Sequence, residues 1–216
     1  MAQRVLVFDF GGPVLKTPYE LITRTCDRLN IDPPAWYGPW DPDRDPLYAS
    51  FIAGEMSERE LWAARAAEFA ELSGCAPDVK SMMNEFYRLP EEGLVRPESR
   101  TLIRDAKAAG IPVGMLTNDL AAFHPQEWRD AMSIISEFDV LVDGSIEQIL
   151  KPDPQMYALL CERMQIQPHE AVYLDDQRPN VEGGEAAGMH SIYFDPTRPY
   201  EAIAQARALL GLPEVQ

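Results

Sequence analysis

Short apolar runs, separated by segments with helical periodicity, are the main pattern along this chain. The first run, Val5 to Phe8, contains no polar residue, as expected of a strand that is buried on both faces of a sheet. Four further runs follow at Ile111 to Leu116, Val140 to Val142, Ala171 to Leu174 and Ser191 to Phe194. Together the runs predict a parallel sheet of five or more strands, because helices cover both faces of such a sheet.

Helices are predicted between the later strands, because those segments carry start and stop signals. The predicted helices are Pro97 to Ala109, Pro154 to Met164 and Val181 to Ala187. Proline opens the first two, and Gly110 and Gly188 stop the first and third. Strands that alternate with helices indicate an α/β fold with right-handed crossovers.

The segment from Thr17 to Arg96 departs from this alternation, because it has helical periodicity but no convincing strand. Leu21, Ile22 and Leu29 share one helix face, and a capping box begins at Ser57. We therefore predict a helical insertion between the first and second strands.

Within this insertion, the loop from Pro33 to Pro42 is unusually rich in proline and aromatic residues. It could form a lid that contacts a substrate, or it could pack its tryptophans against the helices. The residues considered as substrate contacts are Tyr19, Trp36, Tyr37, Trp40 and Arg44.

Composition and charge narrow the classes of function. The chain has 216 residues, 46% of them hydrophobic and 25% charged, which suits one globular domain with an insertion. Its 35 acidic and 19 basic residues give a net charge of -16, which disfavours binding to nucleic acid or to anionic membranes. Without a signal peptide or a membrane-spanning apolar stretch in the sequence, we expect a cytoplasmic protein. Three widely spaced cysteines indicate neither disulfides nor a zinc site, and the oligomeric state stays open.

The first predicted strand ends in a carboxylate. Asp9 follows Phe8, and Gly11 and Gly12 form the turn that leaves the strand. Because α/β sheets bind ligands at the carboxyl ends of their strands, Asp9 could be a nucleophile. The alternative is that Asp9 caps the turn.

Polar residues also follow three later strands. Thr117 and Asn118 follow the second strand, where a hydroxyl, an amide and backbone N–H groups can converge on an anion. Lys151, after the third strand, could neutralise an oxyanion or could be solvated at the surface. Asp175 and Asp176 repel each other after the fourth strand, which favours a hard cation such as Mg²⁺ between them. A helix N-cap would explain one of these two carboxylates.

The four sites together resemble the motifs of the haloacid dehalogenase-like (HAD) hydrolase superfamily, over nearly the whole chain. The resemblance is carried by Val7 to Gly12, Leu116 to Asn118, Lys151 to Tyr157, Tyr173 to Asp176, Asn180 and Ala187 to Met189. The insertion is similar to the helical cap of the subgroup that includes the phosphatase domain of soluble epoxide hydrolase, sugar-phosphate phosphatases and 2-haloacid dehalogenases. The resemblance implies a Rossmann-like α/β core, residues 1–16 and 97–216, and an all-helical cap, residues 17–96.

The resemblance also implies a role for each motif residue in phosphoryl transfer. Asp9 would attack phosphorus and form an aspartyl-phosphate, which water then hydrolyses. Gly12, Thr117, the backbone of Asn118 and Lys151 would bind the phosphoryl oxygens, and Lys151 would also offset the charge of the nucleophile.

The same resemblance implies a magnesium site. Its ligands would be one oxygen of Asp9, the backbone carbonyl of Gly11 and the carboxylate of Asp176. Asp175 would lie close by or act through water.

Position 11 is where the chain departs from the family pattern. Typical family phosphatases have a second aspartate there, which protonates the leaving group and then deprotonates the attacking water. Gly11 can offer a carbonyl to a metal but cannot transfer a proton. Pro13 also replaces the threonine that is common in this turn.

Three functions are consistent with these residues. The first is a magnesium-dependent phosphatase that acts on a small phosphorylated metabolite, with a reduced rate or a leaving group that needs little protonation. The second is a 2-haloacid dehalogenase-like hydrolase, which also uses a lone aspartate but needs no metal, so that the pair Asp175 and Asp176 argues against it. The third is a catalytically silent HAD scaffold that binds a ligand or a protein.

Overall fold

The computed structural model describes residues 4–36, 38–88 and 90–214. Its centre is a five-stranded parallel sheet with the order β3-β2-β1-β4-β5. The strands are β1 (Val5–Phe8), β2 (Val113–Thr117), β3 (Val140–Asp143), β4 (Ala171–Asp175) and β5 (His190–Tyr193). The predicted α/β fold with a Rossmann-like parallel sheet is confirmed.

Helices precede, separate and follow the later strands. Those between β1 and β2 are α1 (Pro18–Leu29), α2 (Pro46–Ile52), α3 (Glu58–Ser73), α4 (Val79–Phe86), α5 (Glu91–Leu94) and α6 (Pro97–Ala108). Those that follow β2 are α7 (Leu120–Phe123), α8 (Gln126–Ala131), α9 (Gly144–Glu147), α10 (Pro154–Met164), α11 (Arg178–Ala186) and α12 (Pro199–Leu210). In the described part of the chain, no helix combines the length and the apolar character that crossing a membrane requires.

Two predicted boundaries differ from the observed ones by two or three residues for local reasons, and the other predicted strand and helix boundaries differ by at most one residue. Strand β2 begins at Val113 rather than Ile111, because the N–H of Ile111 bonds to the Ala106 carbonyl that closes α6 and Pro112 has no N–H. Helix α11 begins three residues before the predicted Val181, since proline is well tolerated in the first turn of a helix.

The chain forms two compact units. The first, here called the α/β unit, comprises the chain up to Lys16, Pro90–Ala122 and the chain from Gln126 onward. The second, here called the helical unit, comprises Thr17–Leu89 and Phe123–Pro125.

The core of the α/β unit surrounds the central strand. All four residues of β1 are buried, and Val5 and Val7 belong to one apolar cluster with Met156, Tyr157 and Leu160 of α10. An unbroken apolar sequence is therefore what β1 needs, as its pattern predicted. The sheet holds the residues that follow β1 in a fixed place.

The core of the helical unit is aromatic. Trp36 stacks on Phe86 with ring centroids 6.0 Å apart, and Phe69 packs beside both rings. The indole N–H of Trp36 donates to Glu68 at 2.7 Å, and Tyr19 packs edge-on against the indole ring. Trp36 therefore packs inside the helical unit, as one of the two hypotheses for the loop predicted, and Tyr19 of α1 packs beside it.

The other residues considered as substrate contacts differ from these two. Trp40 is 38% exposed and Arg44 is also exposed, while Tyr37 lies outside the described residues. The capping box predicted at Ser57 is present at the start of α3, where Ser57 and Glu60 exchange hydrogen bonds.

Candidate active site

Two neighbouring strands bring their terminal carboxylates together. Phe8 of β1 pairs with Leu174 of β4, and the N–H of Asp9 donates to the Leu174 carbonyl at 2.8 Å. Asp9 and Asp175 therefore leave adjacent strands at the same edge of the sheet. The strand order reverses between β1 and β4, which is where open α/β sheets bind ligands.

Lys151 joins these two carboxylates. Its Nζ donates to Asp9 Oδ1 at 2.8 Å and to Asp175 Oδ2 at 2.6 Å. Burial alone would lower the pKa of Lys151, but the charges of Asp175 and Asp9 outweigh burial and raise this pKa above its ordinary value. The ammonium therefore stays charged, and Lys151 is not a solvated surface lysine.

Asn118 fixes the backbone of Lys151. The Asn118 side chain accepts a hydrogen bond from the Lys151 N–H at 2.7 Å and donates one to the Lys151 carbonyl at 3.2 Å. The side-chain amide of Asn118 therefore bonds to the backbone of Lys151. The family resemblance implied a phosphate contact for the backbone of Asn118, not for this side chain. Thr117 lies beside Asn118, buried at the end of β2.

Asp175 accepts hydrogen bonds from four groups. It is fully buried and accepts hydrogen bonds from Lys151, the Tyr173 hydroxyl, the Gln177 N–H at 2.8 Å and the Asn180 amide at 3.2 Å. Burial is the largest cause that raises the pKa of Tyr173, and the charge of Asp175 adds to it, so the phenol keeps its proton. Asp175 is therefore held rigidly and orients Lys151.

Asp9, Asp175 and Asp176 form a cluster of carboxylates. One oxygen from each lies within 4.8 Å of the others, the only such group of three or more potential metal-ligating side chains among the described residues. Carboxylate oxygens are the ligands that Mg²⁺ prefers. The residues present therefore fit a divalent cation.

The turn after Asp9 requires glycine at one position and has space at the other. Gly12 has a φ of +79°, and a Cβ there would lie 2.2 Å from Oδ2 of Asp176. Gly11 does not have a positive φ, and a Cβ there would meet only Asp9 Oδ2, at 3.8 Å, among described atoms outside its chain neighbours. Position 11 therefore has room for a side chain, whereas position 12 does not.

The structure brings most of the predicted site residues together and adds a contact that the sequence did not indicate. Tyr173 was named only as part of the motif that contains Asp175 and Asp176, and no role in the site was predicted for it. Its spacing from Asp175 was a usable signal, because residues two apart in a strand share a face.

A family of known proteins matches most of this chain. The sequence profile of the family described as hydrolase, haloacid dehalogenase-like hydrolase, matches residues 4–188. The chain belongs to the haloacid dehalogenase-like hydrolase family. The HAD resemblance stated from the motifs is thereby confirmed.

Two relatives show how this HAD chain compares with longer proteins. It is 30% identical to mouse (Mus musculus) acyl-CoA dehydrogenase family member 10 over 223 residues, which is 97% of this chain and 19% of the relative. It is 27% identical to phosphoglycolate phosphatase of Escherichia coli strain K12 over 150 residues, which is 62% of this chain and 59% of the relative. The chain thus spans less than two thirds of the length of either relative.

A solved structure shows the same HAD fold. The magnesium-bound HAD-hydrolase YfnB from Bacillus subtilis has a TM-score of 0.63 and 18% identity, with 90% of this chain and 87% of that chain covered. At this identity the likeness concerns the fold alone.

Proposed function

We propose that this HAD-like hydrolase is a magnesium-dependent phosphatase that acts on a small phosphorylated metabolite through an aspartyl-phosphate on Asp9. The observation that carries the proposal is the convergence of Asp9, Asp175 and Asp176 within 4.8 Å. A cluster that can hold a cation suits phosphoryl transfer, which needs one. Attack on the carbon of a haloacid needs no metal, so the cluster would have no use there. The similarity to phosphoglycolate phosphatase supports the same class of substrate.

Asp9 is proposed as the nucleophile. Its Oδ1 accepts from Lys151, and its Oδ2 lies on the side of Gly11. A carboxylate oxygen of Asp9 forms a bond to phosphorus while the ester P–O bond breaks and the leaving group departs. Water then attacks phosphorus, which releases phosphate and restores the carboxylate.

The remaining residues are proposed to bind the phosphoryl group or to position the residues that bind it. Lys151, Thr117 and the backbone N–H groups of Gly12 and Asn118 are proposed to bind the phosphoryl oxygens. Because Asp175 already binds Lys151 and three other donors, we propose that it positions Lys151 rather than binding the metal directly.

The proposed metal ligands are Asp9, Asp176 and the backbone carbonyl of Gly11, with Asp175 beside them. Mg²⁺, when bound there, offsets the negative charge of the phosphoryl oxygens and the carboxylates. A carbonyl ligand does not depend on the side chain at position 11, so Gly11 is compatible with this role.

Gly11 also sets the expected rate. No side chain at position 11 can protonate the leaving group, so we expect slow turnover of alkyl phosphates and faster turnover of activated esters. A lone aspartate after β1 also fits a 2-haloacid dehalogenase-like hydrolase or a catalytically silent HAD scaffold. The division into core and cap, and the cytoplasmic location, stay predictions.

An assay with two substrates tests the proposal. Purified protein should hydrolyse an aryl phosphate with Mg²⁺ present, should lose this activity with a chelator, and should release no halide from a 2-haloacid in either condition. Halide release that is indifferent to the chelator would favour the dehalogenase. Inactivity on both substrate classes would favour the silent scaffold.

A further inference from the structure

The turn that follows Asp9 is held by the start of helix α6. Three consecutive carbonyls of the turn, those of Gly12, Pro13 and Val14, accept hydrogen bonds from this one segment. Arg96 Nε donates to Gly12, the Ser99 hydroxyl donates to Pro13 at 2.5 Å, and the Arg96 N–H donates to Val14 at 2.9 Å. The two segments are more than 80 residues apart in sequence.

Both donors are buried. Arg96 is 4% exposed and its guanidinium lies over the ring of Phe194 at 5.3 Å, while Ser99 is fully buried. Polar groups that leave water need hydrogen-bond partners, and so do turn carbonyls that no sheet or helix satisfies. The donors and the carbonyls therefore fix each other's positions.

The turn leads directly to the candidate metal and phosphate groups. Its base is closed by the Leu15 N–H, which donates to the Phe10 carbonyl at 2.8 Å. Gly12 lies so close to Asp176 that no Cβ fits between them. A shift of the Gly12 carbonyl would therefore also move the backbone of Gly11 and Gly12 relative to Asp176.

We propose that Arg96 and Ser99 are positioning residues, which hold this turn so that the Gly11 carbonyl and the Gly12 N–H face the metal and the phosphoryl group. The proposal rests on the phosphatase function proposed above. It adds two residues that lie outside the sequence motifs. A displacement of about 1 Å at a reacting centre can lower turnover about 10²-fold, so even a small relaxation of the turn is measurable.

Two substitutions and a matched control test the proposal. Ser99→Ala removes one buried hydroxyl, and Arg96→Lys keeps the positive charge but loses Nε. Thr101→Ala is the control, because its hydroxyl also belongs to α6 but bonds only within the helix, to Pro97 at 2.8 Å. Magnesium affinity by calorimetry, kcat and KM on an aryl phosphate, and thermal unfolding are measured for each folded variant.

We expect Ser99→Ala and Arg96→Lys to lower kcat by roughly 10- to 10²-fold with little change in KM, and to weaken Mg²⁺ binding, while Thr101→Ala changes neither. Ser99→Cys, which keeps a weak donor, should recover part of the loss. If kcat and Mg²⁺ affinity in Ser99→Ala equal those of Thr101→Ala, the proposal is overturned, whatever the unfolding temperatures show. Should Arg96→Lys not fold, Ser99→Ala alone decides.

The metal titration separates this proposal from the proposed function. If the wild-type protein binds Mg²⁺ but hydrolyses no phosphate ester, the proposed function fails. Weaker Mg²⁺ binding in Ser99→Ala than in Thr101→Ala would then still support the positioning role, and equal binding would overturn it.

Discussion

A buried cation lies between two carboxylates in each unit of this protein. In the α/β unit, Lys151 bonds to Asp9 and Asp175. In the helical unit, Arg65 bonds to Asp45 and to Glu68, the latter at 3.2 Å. Lys151 and Arg65 are 5% and 3% exposed, so burial does not distinguish the two sites.

The carboxylates of the two sites differ in their other contacts. Asp45 accepts from the N–H groups of Gly38 at 3.0 Å and of Tyr48 at 3.1 Å, and thereby caps α2, while Arg65 packs over the ring of Trp36. The carboxylates of this site are thus tied to the backbone and core of the helical unit.

The site in the α/β unit has an excess of carboxylates instead. Asp176 adds a third to those of Asp9 and Asp175, at the edge where β1 and β4 end. A buried ion pair is therefore not by itself a sign of chemistry. The third carboxylate and the position of the cluster at the strand ends distinguish this site. Substitutions of these carboxylates should therefore lower activity, whereas a substitution in the helical unit should lower stability.

The largest effect is expected from Asp9→Asn. The amide has nearly the same shape as the carboxylate but cannot attack phosphorus or bind Mg²⁺ well, so phosphatase activity should be lost while the protein stays folded. Activity on an aryl phosphate and thermal unfolding check both parts. Turnover near that of the wild-type protein would remove Asp9 from the mechanism.

Next in size is the effect of Gly11→Asp, which should raise activity. A Cβ at position 11 meets only Asp9 Oδ2 at 3.8 Å among described atoms outside its chain neighbours, so the new carboxylate can be accommodated. A positioned general acid contributes about 10²- to 10⁴-fold, and the gain should be seen with an alkyl phosphate but hardly with an aryl phosphate. A variant that folds and binds Mg²⁺ without any gain would favour the silent scaffold.

In the helical unit, Asp45→Asn should lower stability and leave the chemistry in place. Removing one partner of a buried ion pair costs about 3–5 kcal/mol. Chemical denaturation should show this loss, while kcat on an aryl phosphate at a temperature where the variant is folded should stay close to that of the wild-type protein. A stable but inactive variant would contradict the contrast between the two sites.

The pH dependence of stability provides a control for Asp45→Asn. Burial would raise the pKa of Asp45, but hydrogen bonds from Arg65, Gly38 and Tyr48 outweigh burial and lower this pKa below its ordinary value of 3.8. The stabilisation is therefore present above about pH 4 and is lost as the pH falls through the lower, folded-state pKa. The stability difference between the wild-type protein and Asp45→Asn should shrink over that acidic range.

A smaller effect is expected from Asp176→Asn, which should weaken Mg²⁺ binding. Loss of groups that only support a metal site costs about 10- to 100-fold in affinity, so removal of a proposed ligand should cost at least that much. Cys161→Ser is the matched control, because Cys161 lies on α10 in the apolar core. Calorimetric titrations that give equal affinities for both variants would exclude Asp176 from the metal site.

The sheet could be predicted from sequence because its signals are local. Each strand overlaps a short apolar run, although β5 also contains His190 and Ser191, and Asp9 and Lys151 belong to motifs that are contiguous in the chain. The ends of the elements were harder, as at Ile111, where a bond back to α6 decides where β2 begins.

The supporting contacts of the site could not be predicted, because they depend on packing between distant segments. Arg96 and Ser99 reach the turn after Asp9 only once α6 lies beside it, and no motif marks them. The backbone of Asn118 was expected to bind phosphate, but no local signal showed that its side chain bonds to the backbone of Lys151, which is 33 residues away.

The most direct test of the central claim is detection of the phosphoryl group on Asp9. The protein is mixed with Mg²⁺ and an aryl phosphate, quenched in acid during turnover, digested and analysed by mass spectrometry. We expect a phosphoryl group on Asp9 that accumulates because Gly11 cannot deprotonate the attacking water, and that is absent with a chelator and in Asp9→Asn. A protein that hydrolyses the phosphate without this modification, or with the phosphoryl group on another residue, would contradict the account.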